Sequence, residues 1–408
     1  MSVVIIGAGH AGIQLAESLR NEGFRQEITL LEATSHLPYQ RPPLSKDFMK
    51  IDGDPTTIPL RGEHFYRDHN IDLRLGAKVS KINAEGQTVS LVSGEVIPYE
   101  SLVIAMGADA RRADCEGNQL AGISYLRTVE DAELLRNQLD SGFKNVVVVG
   151  AGFIGLEFAA VAAKRGVNVT VIDFAQRPMQ RVLTPSMSDY FHDLHTGMGV
   201  KLHFDEGLSR FIGENGTVTA IEGTSGALYP CDFAVVGLGV VTDDSLAIEA
   251  GIECDRGITV NEYLETNQPN IYAIGDISVF PSKHFGANLR LESVQNATDM
   301  AKTIAKTLVG QKTKYDIAPW FWSNQGDAKL QIAGLANPSD VVIERGNRAQ
   351  GKFSQFLFRD EKLVAVESVN SPADHVAARK LLEHDTGITM AQARDPEFDI
   401  KQFAKNTT

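Results

Sequence analysis

The chain states one dinucleotide-binding grammar twice, and no other feature narrows its possible folds as far. GAGHAG sets Gly7, Gly9 and Gly12 behind the apolar run Val3–Ile6, and GAGFIG sets Gly150, Gly152 and Gly155 behind Val146–Val149. Each motif opens a helix-compatible run, Ile13–Arg20 and Leu156–Arg165, followed by a second apolar run that ends in an acid, Glu32 and Asp173. In such a unit the first glycine turns the chain sharply out of the strand. The second lets a pyrophosphate approach the backbone, and the third lets helix and strand pack closely. The helix N-terminus offers free N–H groups and a partial positive charge to phosphate. The acid, roughly twenty residues on, accepts hydrogen bonds from ribose hydroxyls. A lone GxGxxG is a weak signal, but strand, glycines, helix and acid recur here in order. Two such units in one polypeptide imply that one nucleotide cofactor passes electrons to another.

Two further segments belong to the same reading. Thr266–Asp276 reads TNQPNIYAIGD, a buried-strand pattern ending in Gly275-Asp276, so a carboxylate emerges at the strand's C-terminal edge, where open α/β sheets bind ligands. Phe233–Val241 closes the second unit, and its Gly237 and Gly239 let backbone approach a nicotinamide. Asp173 repels a 2′-phosphate and favours NADH, whereas nearby Arg177 and Arg181 either favour NADPH or make ordinary phosphate and surface contacts.

Composition excludes several classes. A net charge of −13 over 408 residues argues against nonspecific nucleic-acid binding. No apolar run approaches the ~20 residues that cross a bilayer. The first strand begins close behind the N-terminus, leaving no expected signal peptide, so a soluble, cytoplasmic protein with no membrane partner is expected. Cys115, Cys231 and Cys254 form no CxxC pair, and none falls in Tyr39–Lys46. That excludes a flavin disulfide reductase, which needs a redox cysteine pair, and weakens a peroxidase reading. The ten histidines show no metal-like spacing, so no metal site is expected and any iron–sulfur centre must sit on a partner. His10, inside the first motif, reads as packing over the turn.

Taken together, GAGHAG, YQRPPLSK (Tyr39–Lys46), GAGFIGLE (Gly150–Glu157), IYAIGD, RLESVQNA (Arg290–Ala297) and PWFW (Pro319–Trp322) resemble the FAD-dependent ferredoxin reductases of bacterial oxygenase systems, the putidaredoxin reductase type, over nearly the whole chain. The resemblance implies a glutathione-reductase-type fold. It implies an FAD site at Gly7, Gly9, Ala11, Gly12, Glu32, Arg41, Lys46, Val79, Ala105, Arg127, Asp276, Glu292, Val294 and Trp322. It implies an NAD site at Gly150, Gly152, Phe153, Ile154, Gly155, Asp173, Arg181 and Gly239. Lys46 matches a lysine beside the isoalloxazine ring, and the family's glutamate at the position of Glu157 approaches it as an ion pair. Glu157 reads equally well as an acid in the first turn of a helix. Val294 and Gln295 match the start of a helix aimed at the flavin's pyrimidine end. Two departures stand out: Met106 replaces a hydroxyl residue, and Asn324-Gln325-Gly326 lacks the aromatic residue usual after PWFWS.

The expected architecture is α/β: two Rossmann-like dinucleotide-binding domains, the NAD domain inserted in the FAD domain, and a C-terminal α+β domain. The boundaries fall at residues 1–112 and 243–318 for FAD, 113–242 for NAD, and 319–408 for the cap, with alternating strands at Lys329–Ala333, Phe353–Phe358 and Leu363–Val369 and a helix over Asp374–His384. The implied activity carries electrons from NADH through FAD to a 2Fe–2S ferredoxin, in a monomer or weak homodimer. Lys46 and Glu157 would tune the flavin and Trp322 would pack near it, while Trp320 reads as a core aromatic. Lys283, His284 and Arg290 form either a basic docking patch for an acidic ferredoxin or a solvated loop. An NADH oxidase, a rubredoxin reductase and an NADH-sensing flavoprotein of the apoptosis-inducing-factor type are the alternatives.

Overall fold

A computed structural model describes residues 2–50, 58–384 and 387–406. The chain divides into two compact units: Met1–Gln40, Thr56–Asp109 and Val241–Pro319 form the first, and Arg41–Pro55, Ala110–Val240 and Trp320–Thr408 form the second.

The first unit is built on a five-stranded parallel sheet in the order Ile271–Ala273, Ser101–Ile104, Val3–Ile6, Ile28–Leu31, Ile71–Arg74. Every residue of its three central strands is buried, which is why they read as unbroken apolar runs rather than alternating ones. The helix His10–Asn21 packs against the helix Val294–Leu308, each turning small and branched apolar residues inward. A three-stranded antiparallel sheet, Val79–Asn83, Thr88–Leu91 and Val96–Pro98, completes the motif region.

The second unit repeats the parallel sheet in the order Lys201–His203, Asn168–Ile172, Asn145–Val149, Phe233–Val236, Ile123–Tyr125. Its fingerprint helix spans Phe153–Lys164. From Arg41 on, the YQRPPLSK segment belongs here: Pro42–Ser45 and Asp47–Met49 form short 3-10 turns, and Phe48 and Met49 are buried. The carbonyl of Phe48 accepts from Arg136 at 3.2 Å and that of Met49 from Arg165 at 2.9 Å.

The same unit holds a five-stranded antiparallel sheet, Trp320–Gln325, Ala328–Gly334, Lys362–Val369, Lys352–Arg359, Val341–Asn347. The three tail strands and the helix expected from the sequence form, the helix as Pro372–Glu383. Burial does not alternate along them, however, because both faces of the central strands are covered. The helix Pro372–Glu383 packs on one face. On the other, polar side chains meet the turn before the helix Pro185–Gly197: the Thr184 N–H donates to Glu367 Oε1 at 2.9 Å.

The Thr184 hydroxyl lies 2.7 Å from Glu367 Oε2 and 2.8 Å from Gln355 Oε1. The Gln355 amide is oriented by its Nε2–H donation to Glu344 at 2.9 Å. One hydroxyl proton serves one of these acceptors, so the proton of a neutral Glu367 supplies the other contact. Burial pushes the Glu367 carboxyl up to about 7, against the opposing pull of Thr184 and Arg177. An acid raised in this way stabilises the fold fully below its ordinary pKa, and that contribution is lost as pH climbs through about 7. The full swing is on the order of 3 kcal/mol. Glu367→Gln supplies a permanent N–H to Thr184, so its Tm at pH 8 should exceed that of the parent by about 5 °C, with little difference at pH 5. Equal Tm differences at the two pH values would show that this carboxyl does not titrate on unfolding.

Candidate active site: two nucleotide cradles and a buried ion pair

The two fingerprints fold into matching cradles. Gly7 has φ +101° and Gly150 φ +108°, the left-handed region that glycine tolerates. A Cβ on Gly7 would stand 2.5 Å from the Ala105 carbonyl oxygen, and one on Gly150 would stand 2.3 Å from that of Gly237. The third glycines are as tightly held, since a Cβ on Gly12 would lie 2.0 Å from the Gly7 oxygen and one on Gly155 would lie 2.2 Å from the Gly150 oxygen. The middle glycines differ: a Cβ on Gly9 or Gly152 meets no atom within 4 Å.

Both fingerprint helices start at these open glycines without a side-chain cap and without an acid in the first turn. The helices that begin at Val129, Pro185 and Val294 are instead capped by Thr128, Thr184 and Ser293. The helices at Glu63, Ser245 and Pro372 also lack a side-chain cap, but among the described helices only the two fingerprint ones start at a glycine beside open space, the chemistry that receives phosphate.

The acids close each cradle in the same way. Glu32 Oε2 accepts the Ala8 N–H at 3.1 Å, and Asp173 Oδ2 accepts the Ala151 N–H at 2.6 Å. The other oxygen of each accepts the N–H two residues on, from Thr34 at 3.0 Å and Ala175 at 2.8 Å. Each carboxylate is oriented by backbone and keeps lone pairs for ribose hydroxyls.

Gly7, Gly9, Ala11, Gly12, Glu32, Val79, Ala105, Asp276, Glu292 and Val294 all lie in the first unit. Ala105 and Asp276 follow adjacent strands of its sheet, and Gly275 lets that turn come within 3.2 Å of Ala11 Cβ, measured from the Cβ it lacks. Val79 opens a strand close to the Ala77 N–H that donates to the Glu32 carbonyl at 2.8 Å. Glu292 pairs with Arg290 at 2.8 Å, and Arg290 donates to the Asp276 carbonyl at 3.0 Å. The helix at Val294 begins where the sequence places it, and the Gln295 side chain donates to Asp299 at 2.8 Å. Met106 packs against the apolar core of this unit.

Arg41, Lys46, Arg127 and Trp322 lie in the second unit with Gly150, Gly152, Phe153, Ile154, Gly155, Asp173, Arg181 and Gly239. Ile154 is exposed on the first turn of the fingerprint helix. Arg177 donates to the Leu183 carbonyl at 2.7 Å and to Ser188 Oγ at 2.6 Å. Arg181 is exposed, its Nη2 3.6 Å from where a Gly239 Cβ would be.

Lys46 Nζ lies 2.9 Å from Glu157 Oε1, with side-chain exposures of 14% and 2%. The ion-pair reading of Glu157 is the one the geometry supports. Two hydroxyls that sequence reasoning missed complete it: Ser45 donates to Oε2 at 2.5 Å and Ser323 to Oε1 at 2.5 Å. Trp320 is a packed aromatic, with the Arg379 guanidinium 4.2 Å over its ring and His375 at 5.3 Å.

The basic side chains of the Lys283–Arg290 loop are paired within the chain itself. Lys283 pairs with Asp316 at 2.7 Å, His284 faces the same carboxylate at 3.9 Å, and Arg290 is held by Glu292. The cysteines are unsuited to thiol chemistry: burial pushes Cys231 up to about 12 and Cys254 up to about 11, and Cys115 is also raised. Among the described residues no three His, Cys, Asp or Glu side chains gather as a metal ion would require, and no helix is long and apolar enough to cross a membrane.

Comparison with known proteins places these features in a family. The pyridine nucleotide-disulphide oxidoreductase family matches residues 1–301, and a reductase C-terminal family matches 320–404. Rhodocoxin reductase of Rhodococcus erythropolis is 44% identical over 401 residues, covering 98% of this chain and 94% of the relative. The crystal structure of the ferredoxin reductase for the CYP199A2 system of Rhodopseudomonas palustris superposes with a TM-score of 0.96 at 45% identity, over 99% of both chains. Putidaredoxin reductase, in its covalent complex with putidaredoxin, gives 0.94 at 34% identity, over 100% of this chain and 98% of that one. With two nucleotide cradles, an antiparallel C-terminal sheet and no cysteine pair beside Lys46, the chain belongs to the pyridine nucleotide-disulphide oxidoreductase family.

Proposed function

We propose that this chain is an FAD-dependent reductase that passes electrons from NADH to a 2Fe–2S ferredoxin serving a bacterial oxygenase. The observation that carries the reading is the doubled cradle, two uncapped helix termini each opened by an unobstructed glycine and closed by an acid. The first cradle binds the adenosine and pyrophosphate of FAD, with Glu32 on ribose and the helix at Gly9 on phosphate. The second binds NADH in the same manner through Asp173 and Gly152. FAD supplies the redox chemistry, accepting two electrons from a nicotinamide and releasing them singly.

The chain's residues bind, orient and tune. Asp173 opposes a 2′-phosphate, and Arg177 is spent on Leu183 and Ser188, so NADH is the donor. Lys46, held by Glu157, brings a positive charge that favours the electron-rich form of the cofactor. Arg41, Arg127 and Trp322 complete the flavin contacts. Similarity to rhodocoxin reductase, to putidaredoxin reductase in complex with its redox partner and to the CYP199A2-system reductase supports an iron–sulfur protein as acceptor.

Anaerobic steady-state kinetics with a panel of purified 2Fe–2S ferredoxins, rubredoxin and oxygen tests the assignment. The expected result is yellow, FAD-containing protein that reduces at least one ferredoxin. Its kcat/KM with NADH should exceed that with NADPH by about 100-fold, or roughly 2.7 kcal/mol of transition-state discrimination. Faster turnover with oxygen or rubredoxin than with every ferredoxin would reassign the acceptor, and a higher kcat/KM with NADPH would overturn the reading of Asp173.

A further inference from the structure

Strand geometry brings one face of Trp320–Gln325 against the second fingerprint helix. Alternation along the strand sends Phe321, Ser323 and Gln325 to one side and Trp320, Trp322 and Asn324 to the other. Each of the first three meets the helix: the Phe321 ring lies 4.5 Å from that of Phe153, Ser323 Oγ donates to Glu157, and Gln325 Nε2 donates to the Phe153 carbonyl at 3.2 Å. Phe153 and Glu157 stand four residues apart, on one face of the helix.

The hydrogen bonds beyond Glu157 share a single direction. His195 is fully buried, and burial lowers it to about 4, so its ring is neutral at working pH. Its Nε2–H donates to Gln325 Oε1 at 3.0 Å. Gln325 Nε2 donates to Ser323 Oγ at 2.9 Å, and the Ser323 hydroxyl donates to Glu157 Oε1 at 2.5 Å. Every donor points toward the carboxylate that holds Lys46. Ser323 and Gln325 are fully buried as well, so water offers them no substitute partners.

We infer that Ser323, Gln325 and His195 are positioning residues: a buried relay of donors that fixes the Glu157 carboxylate, and through it the Lys46 ammonium, so as to raise the reduction potential of the bound flavin. The inference rests on the proposed placement of Lys46 at the flavin. A buried hydroxyl aimed at one carboxylate oxygen fixes the rotamer, and the ordered amide and imidazole behind it fix the hydroxyl's own direction. Without the relay, the carboxylate turns toward Ser45 alone and the lysine charge is less well aimed.

Potentiometric titration of the FAD-loaded protein tests this, with FAD content and Tm measured alongside. Ser323→Ala should weaken the preference for reduced over oxidised flavin about tenfold, a shift of about 30 mV to more negative potential for a two-electron couple. Gln325→Leu should shift it the same way and by less. Ser323→Cys, close in size and a poorer donor, should also shift it negatively and serves where the alanine variant does not fold. Lys46→Met is the reference and should move the potential further. If Lys46→Met shifts the potential and no Ser323 or Gln325 variant does, the relay is structural only and the inference is overturned. If Lys46→Met also leaves it unchanged, the placement of Lys46 at the flavin is what has failed.

Discussion

Gly152→Val should fold, keep its FAD and lose NADH. The backbone at Gly152 has φ −80° and ψ −179°, an extended conformation that valine adopts readily, and the added side chain meets no atom within 4 Å. The folded protein therefore loses little more than a favourable N-cap residue, under about 1 kcal/mol. The new methyl groups occupy the space into which the pyrophosphate must come, so kcat/KM for NADH should fall at least ~100-fold, about 2.7 kcal/mol, with the increase in KM dominating. Gly9→Val is the mirror experiment, at φ −71° and ψ −167° with the same open surroundings, and should yield folded but colourless protein. The neighbouring glycines behave differently. Gly155→Ala and Gly12→Ala would drive a Cβ to 2.2 Å and 2.0 Å from a backbone oxygen, so these should lose the fold rather than one ligand. Unchanged NADH kinetics in FAD-bound Gly152→Val would remove the second cradle as the nicotinamide site. Loss of FAD from that variant would exchange the two cradles.

What the sequence made legible was local. A strand, a glycine turn, a helix and an acid lie within about thirty residues. Their physical requirements are met by residue type, so both cradles and the IYAIGD turn could be read in advance. Helix starts were placed late, at Ile13 and Leu156 rather than His10 and Phe153, because the motif glycines mask the first turn. The surroundings of Lys46 were legible only in part. The lysine and Glu157 followed from resemblance, but Ser45 and Ser323 reach the carboxylate across 112 and 166 residues of sequence, and a serine in LSK or WFWS carries no mark of its partner. Nothing in the residue types of Trp320–Gln325 marks which side meets the helix, and it is Phe321, Ser323 and Gln325 that do. The tail strands were expected to alternate, and Gln355, Glu367 and Ser368 depart from that pattern. They are buried, their polar atoms taken up by Thr184, Ser186 and one another's strands. The basic loop was read from the charges of Lys283 and Arg290, without Asp316, a partner distant from Lys283 in sequence.

The ion pair itself should prove expendable for stability and indispensable for function. Lys46→Met leaves the Glu157 carboxylate, 2% exposed, with only two hydroxyl donors, and should cost on the order of 3–5 kcal/mol. Glu157→Leu leaves an ammonium that is 14% exposed with only the Pro42 carbonyl at 3.4 Å, and strands the Ser45 and Ser323 hydroxyls, at a similar cost. The double variant Lys46→Met/Glu157→Leu removes both charges and fills their volume with apolar atoms, so its Tm should return to within a few degrees of the parent's. The gain over the sum of the single variants measures their coupling, expected to be about 3 kcal/mol or more. Ferredoxin reduction in the double variant should remain at least ~100-fold below the parent, because the charge proposed to favour the electron-rich cofactor is gone. A stable but inactive double variant would mean that the buried pair is kept for electrochemistry, since hydrophobic residues would hold this part of the second unit together as well. A double variant that stays as unstable as the single ones would point instead to a structural pair, with Ser45, Ser323 and the strand behind them arranged to satisfy it.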